Sequence, residues 1–304
     1  MTRLAFLGTP KAAVPTLEAL AADFDIAVVI TRLDRPQGRH SKPLPTPVKI
    51  VADGLGIPVE QPPSSDQIAG ILEEHAPLDL AVVVAFGMIL LPDALAVPAH
   101  GMLNLHFSLL PRWRGAAPVA RALMAGDTMT GVTIIRIDEQ LDSGDVLTAQ
   151  ALDIRPDESS GALTNRLVHI GSQLLVDSIE HYLAGAMVPV PQTDKGLTYA
   201  AKITPEDRPL SPQMTTAEFI NRIRGLSPKP AATLDIDGQV HKVLQARESE
   251  SIPAETRWET VGELPVVGVS DGGVALLELQ PPGKNPMSGE SWVRGRLNVR
   301  GIVS

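Results

Sequence analysis

The stretch Asn104-Leu-His-Phe-Ser-Leu-Leu-Pro-Arg-Trp-Arg-Gly-Ala-Ala-Pro118 predicts a strand that ends in a functional loop. Residues 102–105 are apolar except for Asn104, and such a run is typical of a short buried strand. Alternate residues of a strand point to the same face, so Asn104 and His106 emerge side by side where the strand ends. Pro and Gly follow, and they are typical of a loop. Because ligands of open α/β sheets bind at the carboxyl ends of strands, we expect a catalytic site here.

The sequence before this stretch predicts a parallel α/β sheet. Residues 3–8 and 26–31 predict two strands around a helix, with Thr9 as the N-cap and Pro10 at the first helical position. This β-loop-α-β order is typical of parallel sheets with right-handed crossovers. The apolar run at 79–85 is typical of a central strand that is covered on both faces.

The sequence after this stretch predicts a second, smaller domain. Short alternating strands separated by Gly and Pro follow residue 215, and this rhythm indicates a small β-barrel. We therefore predict a catalytic domain at 1–188, a linker at 189–212 and a C-terminal domain at 213–304.

Composition excludes several classes of site. The 304 residues include no cysteine, so disulfides, thiolate metal sites and cysteine nucleophiles are absent. The net charge of −9 argues against indiscriminate binding to nucleic acid, although a local basic site stays open. No apolar run has the length needed to cross a bilayer. The N-terminus becomes strand-like within three residues and leaves no room for a signal peptide, so we predict a cytoplasmic protein.

Residues 32–47 predict a long surface loop with a positive charge. It contains one acid, Asp34, and four cations, Arg32, Arg35, Arg39 and Lys42, among several Pro residues and one Gly. Long structureless loops in compact domains are often functional, and a cationic loop on an acidic protein suits a phosphate backbone. A solvated polar loop without a ligand explains the composition equally well.

The chemistry available near the strand end is that of an amide, an imidazole and a carboxylate. Asn104 supplies the amide and His106 the imidazole, and a later loop supplies carboxylates at Asp142 and Asp145. An imidazole and a carboxylate can transfer protons near neutral pH, and an amide and a protonated imidazole can stabilise an oxyanion. This set suits acyl transfer to an amine by direct attack. A purely structural histidine beside an asparagine is the alternative, and no His pair has metal-ligand spacing.

Two motifs and a glycine between them are similar to the formyltransferase family that uses 10-formyltetrahydrofolate. The first motif is Asn104-x-His106-x-Ser-Leu-Leu-Pro111, the glycine is Gly115, and the second motif is Leu141-Asp-Ser-Gly-Asp145. Other stretches resemble the family members that act on initiator methionyl-tRNA. These stretches are Ser108-Leu-Leu-Pro-Arg-Trp-Arg-Gly-Ala-Ala-Pro118, Phe6-Leu-Gly-Thr-Pro10, Thr198-Tyr-Ala-Ala-Lys202 and Gln280-Pro-Pro-Gly-Lys284.

The resemblance implies a Rossmann-like N-terminal domain and a C-terminal OB-like barrel that binds tRNA. It implies transfer of a formyl group from 10-formyltetrahydrofolate to the α-amine of methionine on initiator tRNA, for translation initiation, with no metal. It further implies a cis Leu110–Pro111 bond. We also predict a monomer. The implied catalytic residues are Asn104, His106 and Asp142.

The resemblance also implies two binding sets. The folate-binding residues would be Phe86, Gly87, Met88, Ile89, Leu90, Ser108, Leu109, Leu110, Pro111 and Leu141. On residues alone, 86–90 could equally be a tight turn with core side chains. The tRNA-binding residues would be Arg32, Arg35, Arg39, Lys42 and Lys202, with Arg39 the most important of them.

Three other functions compete with this interpretation. A sister formyltransferase that acts on a nucleotide-linked amino sugar would keep Asn104, His106 and Asp142 without needing the basic loop. An inactive tRNA-binding or chaperone-like module would not need the three polar groups together. A nicotinamide oxidoreductase would need three spaced glycines, and Gly8 stands alone after the first strand.

Overall fold

The computed structural model describes residues 1–36, 43–296 and 298–304. The predicted tRNA contacts Arg39 and Lys42 lie outside the described residues. The chain forms two compact units. The first unit comprises Met1–Gly115, Gly131–Leu152 and Thr164–Tyr199, and the second comprises Ala116–Thr130, Asp153–Leu163 and Ala200–Ser304. Residues 189–199 thus fold with the first unit, while the predicted boundaries at 188 and 212 stay predictions.

The strands before residue 201 are β1 (Arg3–Gly8), β2 (Asp25–Ile30), β3 (Arg35–Pro36), β4 (Pro43–Leu44), β5 (Val59–Glu60), β6 (Leu80–Val84), β7 (Met102–His106), β8 (Arg114–Gly115), β9 (Met129–Arg136), β10 (Val146–Asp153) and β11 (Tyr199–Ala200). The helices in this part are α1 (Val14–Asp23), α2 (Pro47–Leu55), α3 (Ile68–Glu74), α4 (Pro92–Leu95), α5 (Pro118–Met124) and α6 (Ser160–Leu183). Short 3₁₀ turns lie at Lys11–Ala13 and Ser65–Gln67.

The main sheet of the first unit confirms the predicted α/β fold. Its strand order is β10-β9-β7-β6-β1-β2-β5. The five strands from β7 to β5 in this order all run parallel to one another. Every residue of β6 is buried, as a central parallel strand requires. The sheet is mixed rather than wholly parallel, because β9 runs antiparallel to β7.

Two local predictions were wrong. Thr9 does not cap a helix, because its hydroxyl instead donates a 2.8 Å hydrogen bond to the Phe86 carbonyl. The chain enters α1 through the 3₁₀ turn that follows Pro10. The basic segment is also not wholly irregular, since β3 pairs with β4 in an antiparallel ladder at its two ends. Thr9 thus contacts a residue that is distant in the chain, while the two ends of the basic segment contact each other.

The remaining elements are α7 (Thr216–Leu226), α8 (Gly289–Arg294), a 3₁₀ turn at Pro205–Asp207, and the strands β12 (Ala232–Ile236), β13 (Gln239–Ser249), β14 (Arg257–Val261), β15 (Leu264–Gly268), β16 (Gly273–Gln280), β17 (Met287–Ser288) and β18 (Arg300–Ile302). The antiparallel sheet has the order β12-β13-β16-β15-β14-β18, and β17 pairs with β16. Ile236 on β12 bridges Val303, just after β18, so the two outer strands meet. This closure confirms the predicted barrel.

The barrel has its own apolar core. Trp258, Phe219 and Leu276 are each fully buried in it, and α7 supplies Phe219. In the described part of the chain, no helix combines the length and the apolar character that a membrane span needs.

Candidate active site

The carboxyl end of β7 presents Asn104 and His106. Asn104 is paired with Val83 on β6 and with Ile135 on β9, so neighbouring strands fix its backbone on both sides. The His106 side chain is 6% exposed, whereas Asn104 is half-buried. The Asn104 amide makes no hydrogen bond to any residue that the structure describes. Its N–H groups are therefore available to a ligand.

Both ring nitrogens of His106 face protein oxygen atoms. Nε2 lies 2.9 Å from the Trp113 carbonyl oxygen. A carbonyl can only accept, so this contact assigns a proton to Nε2. Nδ1 lies 3.7 Å from Asp142 Oδ2, a distance that a small movement or a bound substrate can shorten to a hydrogen bond. The ring is thus oriented for proton exchange between Nδ1 and the carboxylate.

Asp142 is held in place by main-chain contacts. Its Oδ2 accepts a 2.7 Å hydrogen bond from the Gly115 N–H, and its side chain is 15% exposed. Its φ of 50° lies in the left-handed region, which Asp tolerates better than most residues. The oxygen atom that faces His106 is therefore the same atom that Gly115 holds.

The segment 113–115 connects the two candidate catalytic side chains, His106 and Asp142. Trp113 offers its carbonyl to His106, and Gly115 offers its N–H to Asp142. Trp113 has a φ of 64°, a conformation that costs a non-glycine residue about 1–3 kcal/mol. Thr198 offsets this cost. Its hydroxyl accepts from the Trp113 N–H at 2.9 Å, and its carbonyl accepts from the Arg114 N–H at 3.0 Å.

The loop that contains Asp142 is closed by its own contacts. The Arg136 N–H donates to the Asp145 carbonyl at 2.9 Å. The Asp138 carboxylate accepts from the Ser143 hydroxyl at 2.8 Å and from the Gln140 N–H at 3.0 Å. A Cβ atom built on Gly144 would lie 1.8 Å from the Arg136 carbonyl oxygen. Only glycine therefore fits where the loop turns back on itself.

Comparison with known proteins identifies the family. The family model described as formyl transferase matches residues 2–179, and the model described as formyl transferase, C-terminal domain, matches residues 202–297. The chain belongs to the formyl transferase family.

Curated relatives align with this formyl transferase over nearly its whole length. It is 40% identical to the methionyl-tRNA formyltransferase of Cutibacterium acnes, over 96% of each chain. It is 42% identical to that of Halorhodospira halophila, over 98% of each chain. It is 41% identical to that of Moorella thermoacetica, over 99% of this chain and 98% of the relative.

Solved structures share the fold at much lower identity. The sugar 3N-formyltransferase WlaRD, solved with dTDP and 5-N-formyl-tetrahydrofolate, has a TM-score of 0.68 and 18% identity, over 94% of this chain and 99% of that chain. An N-formyltransferase from Helicobacter canadensis, in complex with folinic acid and dTDP-3-aminofucose, has a TM-score of 0.69 and 19% identity, over 92% of this chain and 100% of that chain. These likenesses concern the fold alone.

The predicted folate residues 86–90 form an open edge of this formyl transferase. Phe86 is buried, Met88 and Leu90 pack partly on the core, and Ile89 is 77% exposed. The backbone of residues 88–90 makes no hydrogen bond to a described residue. Free backbone donors and acceptors beside an exposed apolar side chain fit a flat heteroaromatic ring with polar edges. Leu141, also predicted, is exposed as well.

The predicted folate residues 108–111 form a tight turn. The Leu110–Pro111 bond is cis, which confirms the prediction. Ser108 is fully buried, and its hydroxyl donates to the Arg112 carbonyl at 2.6 Å. Leu109 packs so closely on Gly131 that a Cβ there would lie 2.5 Å from it. The structure thus places Ser108 inside the turn, not at an open surface, whereas Leu110 and Pro111 are partly exposed.

The described members of the predicted tRNA set lie in different settings. The Arg32 guanidinium donates to the Gly87 carbonyl and so contacts the predicted folate edge. Arg35 is exposed on β3, and Lys202 is exposed as well. Their assignment to tRNA stays a prediction.

The start of the basic segment is fixed by an ion pair. Lys49 Nζ lies 3.0 Å from Asp34 Oδ2, and Gln61 donates to Asp34 Oδ1 at 2.7 Å. The Gln61 hydrogen bond and then Lys49 hold the pKa of Asp34 below its ordinary value. Asp34 therefore stays ionised, and it anchors this segment to α2.

Gln192 and Arg114 contact the site, and the sequence patterns indicate neither of them. Gln192 donates to the carbonyl oxygens of Asp142 and Gly144, and it accepts from the buried Arg114 guanidinium. Gln192 lies in the predicted linker, where no periodicity marks it. Arg114 belongs to the stretch 104–118, but its sequence pattern gives no sign that this charged side chain is buried.

Proposed function

We propose that this formyl transferase moves the formyl group of 10-formyltetrahydrofolate to the α-amine of methionine on initiator tRNA. The observation that carries the proposal is the position of three groups at one strand end: the Asn104 amide, which has no partner among the described residues, the His106 imidazole and the Asp142 carboxylate. Full-length relatives with about 40% identity are named methionyl-tRNA formyltransferases, and this supports the choice of acceptor.

The reaction needs stabilisation of an oxyanion and removal of an amine proton. The methionyl nitrogen attacks the formyl carbon, a C–N bond forms, and the bond from that carbon to N10 of the folate breaks. Asn104 donates to the oxygen that becomes negative, and this donor needs no rearrangement. His106 reaches that oxygen only by sharing or releasing its bond to the Trp113 carbonyl.

The carboxylate and the imidazole transfer the amine proton. Asp142 takes the proton from the attacking amine, directly or through a water molecule, and His106 shares it through Nδ1. The proton then passes to N10 of the leaving folate, so charge and atoms balance. No covalent enzyme intermediate forms. Among the described residues, no group of three His, Asp or Glu side chains is arranged to hold a metal ion.

The proposal extends to binding and context. Residues 86–90, 108–111 and 141 bind the folate, and the basic segment with Lys202 and the C-terminal barrel binds the tRNA. The enzyme acts as a monomer in the cytoplasm, where initiator tRNA is used. The oligomeric state is checked by analytical ultracentrifugation of the full chain.

The test is a transfer assay with three acceptors. The purified full chain is incubated with 10-formyltetrahydrofolate and either methionyl initiator tRNA, methionyl elongator tRNA or a dTDP-linked amino sugar. We expect formyl-methionine on the initiator tRNA, detected by mass spectrometry after hydrolysis. Formylation of the amino sugar without formylation of tRNA would instead identify the sister enzyme.

A further inference from the structure

The Gln192 side chain lies at the centre of a four-bond cluster beneath the Asp142 loop. Nε2 donates to the Asp142 carbonyl at 2.9 Å and to the Gly144 carbonyl at 2.8 Å. Oε1 accepts from Arg114 Nη2 at 2.7 Å and from Nε at 3.1 Å. Carbonyls only accept and a guanidinium only donates, so just one orientation of the amide fits. We propose that Gln192, held by Arg114, is a positioning residue that keeps Asp142 directed at His106.

The two bonds from Nε2 fix the turn on both sides of Ser143. They restrain the carbonyl oxygens of residues 142 and 144. Because one of these carbonyls belongs to Asp142, they also restrain the left-handed backbone of that residue. Gly115 then fixes the carboxylate itself. Main chain and side chain of Asp142 are thus held separately, and the 3.7 Å approach of Oδ2 to His106 depends on both.

Arg114 makes the cluster rigid. The residue is 8% exposed, and a buried guanidinium needs acceptors for its N–H groups. By accepting two of them, Gln192 orients its own N–H groups toward the loop. Because Gly115 follows Arg114 directly, the residue that holds the amide adjoins the residue that holds the carboxylate.

Two substitutions separate positioning from simple stabilisation. Gln192→Ala removes all four bonds. Gln192→Glu keeps an acceptor for Arg114 and adds a charge that pairs with it, but it has no N–H group for the two carbonyls and repels them. If the only role of Gln192 were to accept from Arg114, the Glu variant would be more active than the Ala variant. If it positions Asp142, the Glu variant is at least as stable as the Ala variant and no more active.

The experiment compares these variants with Gln173→Ala. Gln173 is exposed on α6, and its amide contacts only Asp177 among the bonds that the structure shows for it, four residues along the same helix. Initiator tRNA formylation gives kcat and KM, thermal unfolding gives Tm, and binding of 5-formyl-tetrahydrofolate gives Kd. We expect kcat to fall about 10- to 100-fold in both Gln192 variants, with KM and Kd within about threefold of wild type. The control should match wild type throughout.

This inference rests on the proposed function, and amide hydrogen exchange makes the two distinguishable. We expect faster exchange in residues 138–145 of both Gln192 variants, and unchanged exchange there in the control. A wild-type chain that fails to formylate tRNA would refute the proposed function, and the exchange data would still test whether Gln192 holds the Asp142 loop. Unchanged loop exchange, or a Glu variant with wild-type kcat, would overturn the role of Gln192.

Discussion

Replacing Gly144 with alanine tests how much the catalytic geometry depends on the closed Asp142 loop. The new Cβ would lie 1.8 Å from the Arg136 carbonyl oxygen, whereas real Cβ atoms essentially never approach a heavy atom within 3.0 Å. The loop must therefore move by about 1.2 Å, the difference between these two distances. Because the obstacle is backbone and not the end of a flexible side chain, no rotamer change can relieve the clash.

The expected cost follows from this displacement. Overpacking of this kind costs about 1–3 kcal/mol. Loss of the hydrogen bond from the Arg136 N–H to the Asp145 carbonyl adds about 1 kcal/mol. We therefore expect Gly144→Ala to lower the free energy of unfolding by about 2–4 kcal/mol. A misplacement of Asp142 by about 1 Å should also lower kcat about 100-fold.

The measurements are urea unfolding and formylation kinetics, with Gly70→Ala as the matched control. Gly70 is exposed in α3, and a Cβ there meets no atom within 4 Å. Alanine in a helix should stabilise the protein by about 0.5–1 kcal/mol and leave kcat unchanged. If Gly144→Ala unfolded within 0.5 kcal/mol of wild type (about the size of an ordinary surface effect) and kept its kcat, our reasoning about the loop would be wrong.

Three further predictions concern single side chains. Asn104→Ala should lower kcat about 100- to 1000-fold with little change in folate binding, and a loss below fivefold (about 1 kcal/mol) would contradict the oxyanion role. Asp142→Asn keeps the shape and removes the base, so kcat should fall at least about 100-fold; near-normal turnover with an unchanged pH profile would contradict that role. Arg121 hydrogen-bonds Asp207 at 2.7 Å and holds its pKa below 3.8, the ordinary value. Asp207→Asn should therefore destabilise by about 1 kcal/mol at pH 7. A lowered folded pKa gives stability above the unfolded pKa, so the difference should shrink as the pH falls from about 4 through the folded pKa, and chemical unfolding at several pH values checks it.

The sequence predicted the parts of the site that follow from local pattern. Apolar residues before Asn104 and His106 identified the strand, and a period of two placed both side chains on one face. The apolar run at 79–85 identified the central strand for the same kind of reason. These features depend on neighbours along the chain, which is the information that a sequence pattern contains.

The sequence did not predict the contacts between distant segments. Gln192 and Asp142 are 50 residues apart, and a neutral amide in an aperiodic stretch gives no signal of such a partner. Thr9, followed by Pro10, has the residue pattern of an N-cap. Its hydroxyl instead contacts the Phe86 carbonyl, 77 residues away, because the ends of β1 and β6 meet there. Trp113 adopts a left-handed backbone that its residue type disfavours, since Thr198 and His106 bind its peptide groups.

The contacts of segment 113–115 with His106 and Asp142 use peptide atoms, the Trp113 carbonyl and the Gly115 N–H. No codon change deletes a peptide carbonyl, so alanine scanning cannot test this half of the proposed catalytic site. Replacing the amide that precedes Gly115 with an ester, through a hydroxy acid incorporated at that position, would remove the N–H and keep every side chain. Chemical synthesis of the backbone, more than further genetics, is thus the route by which this half can be measured.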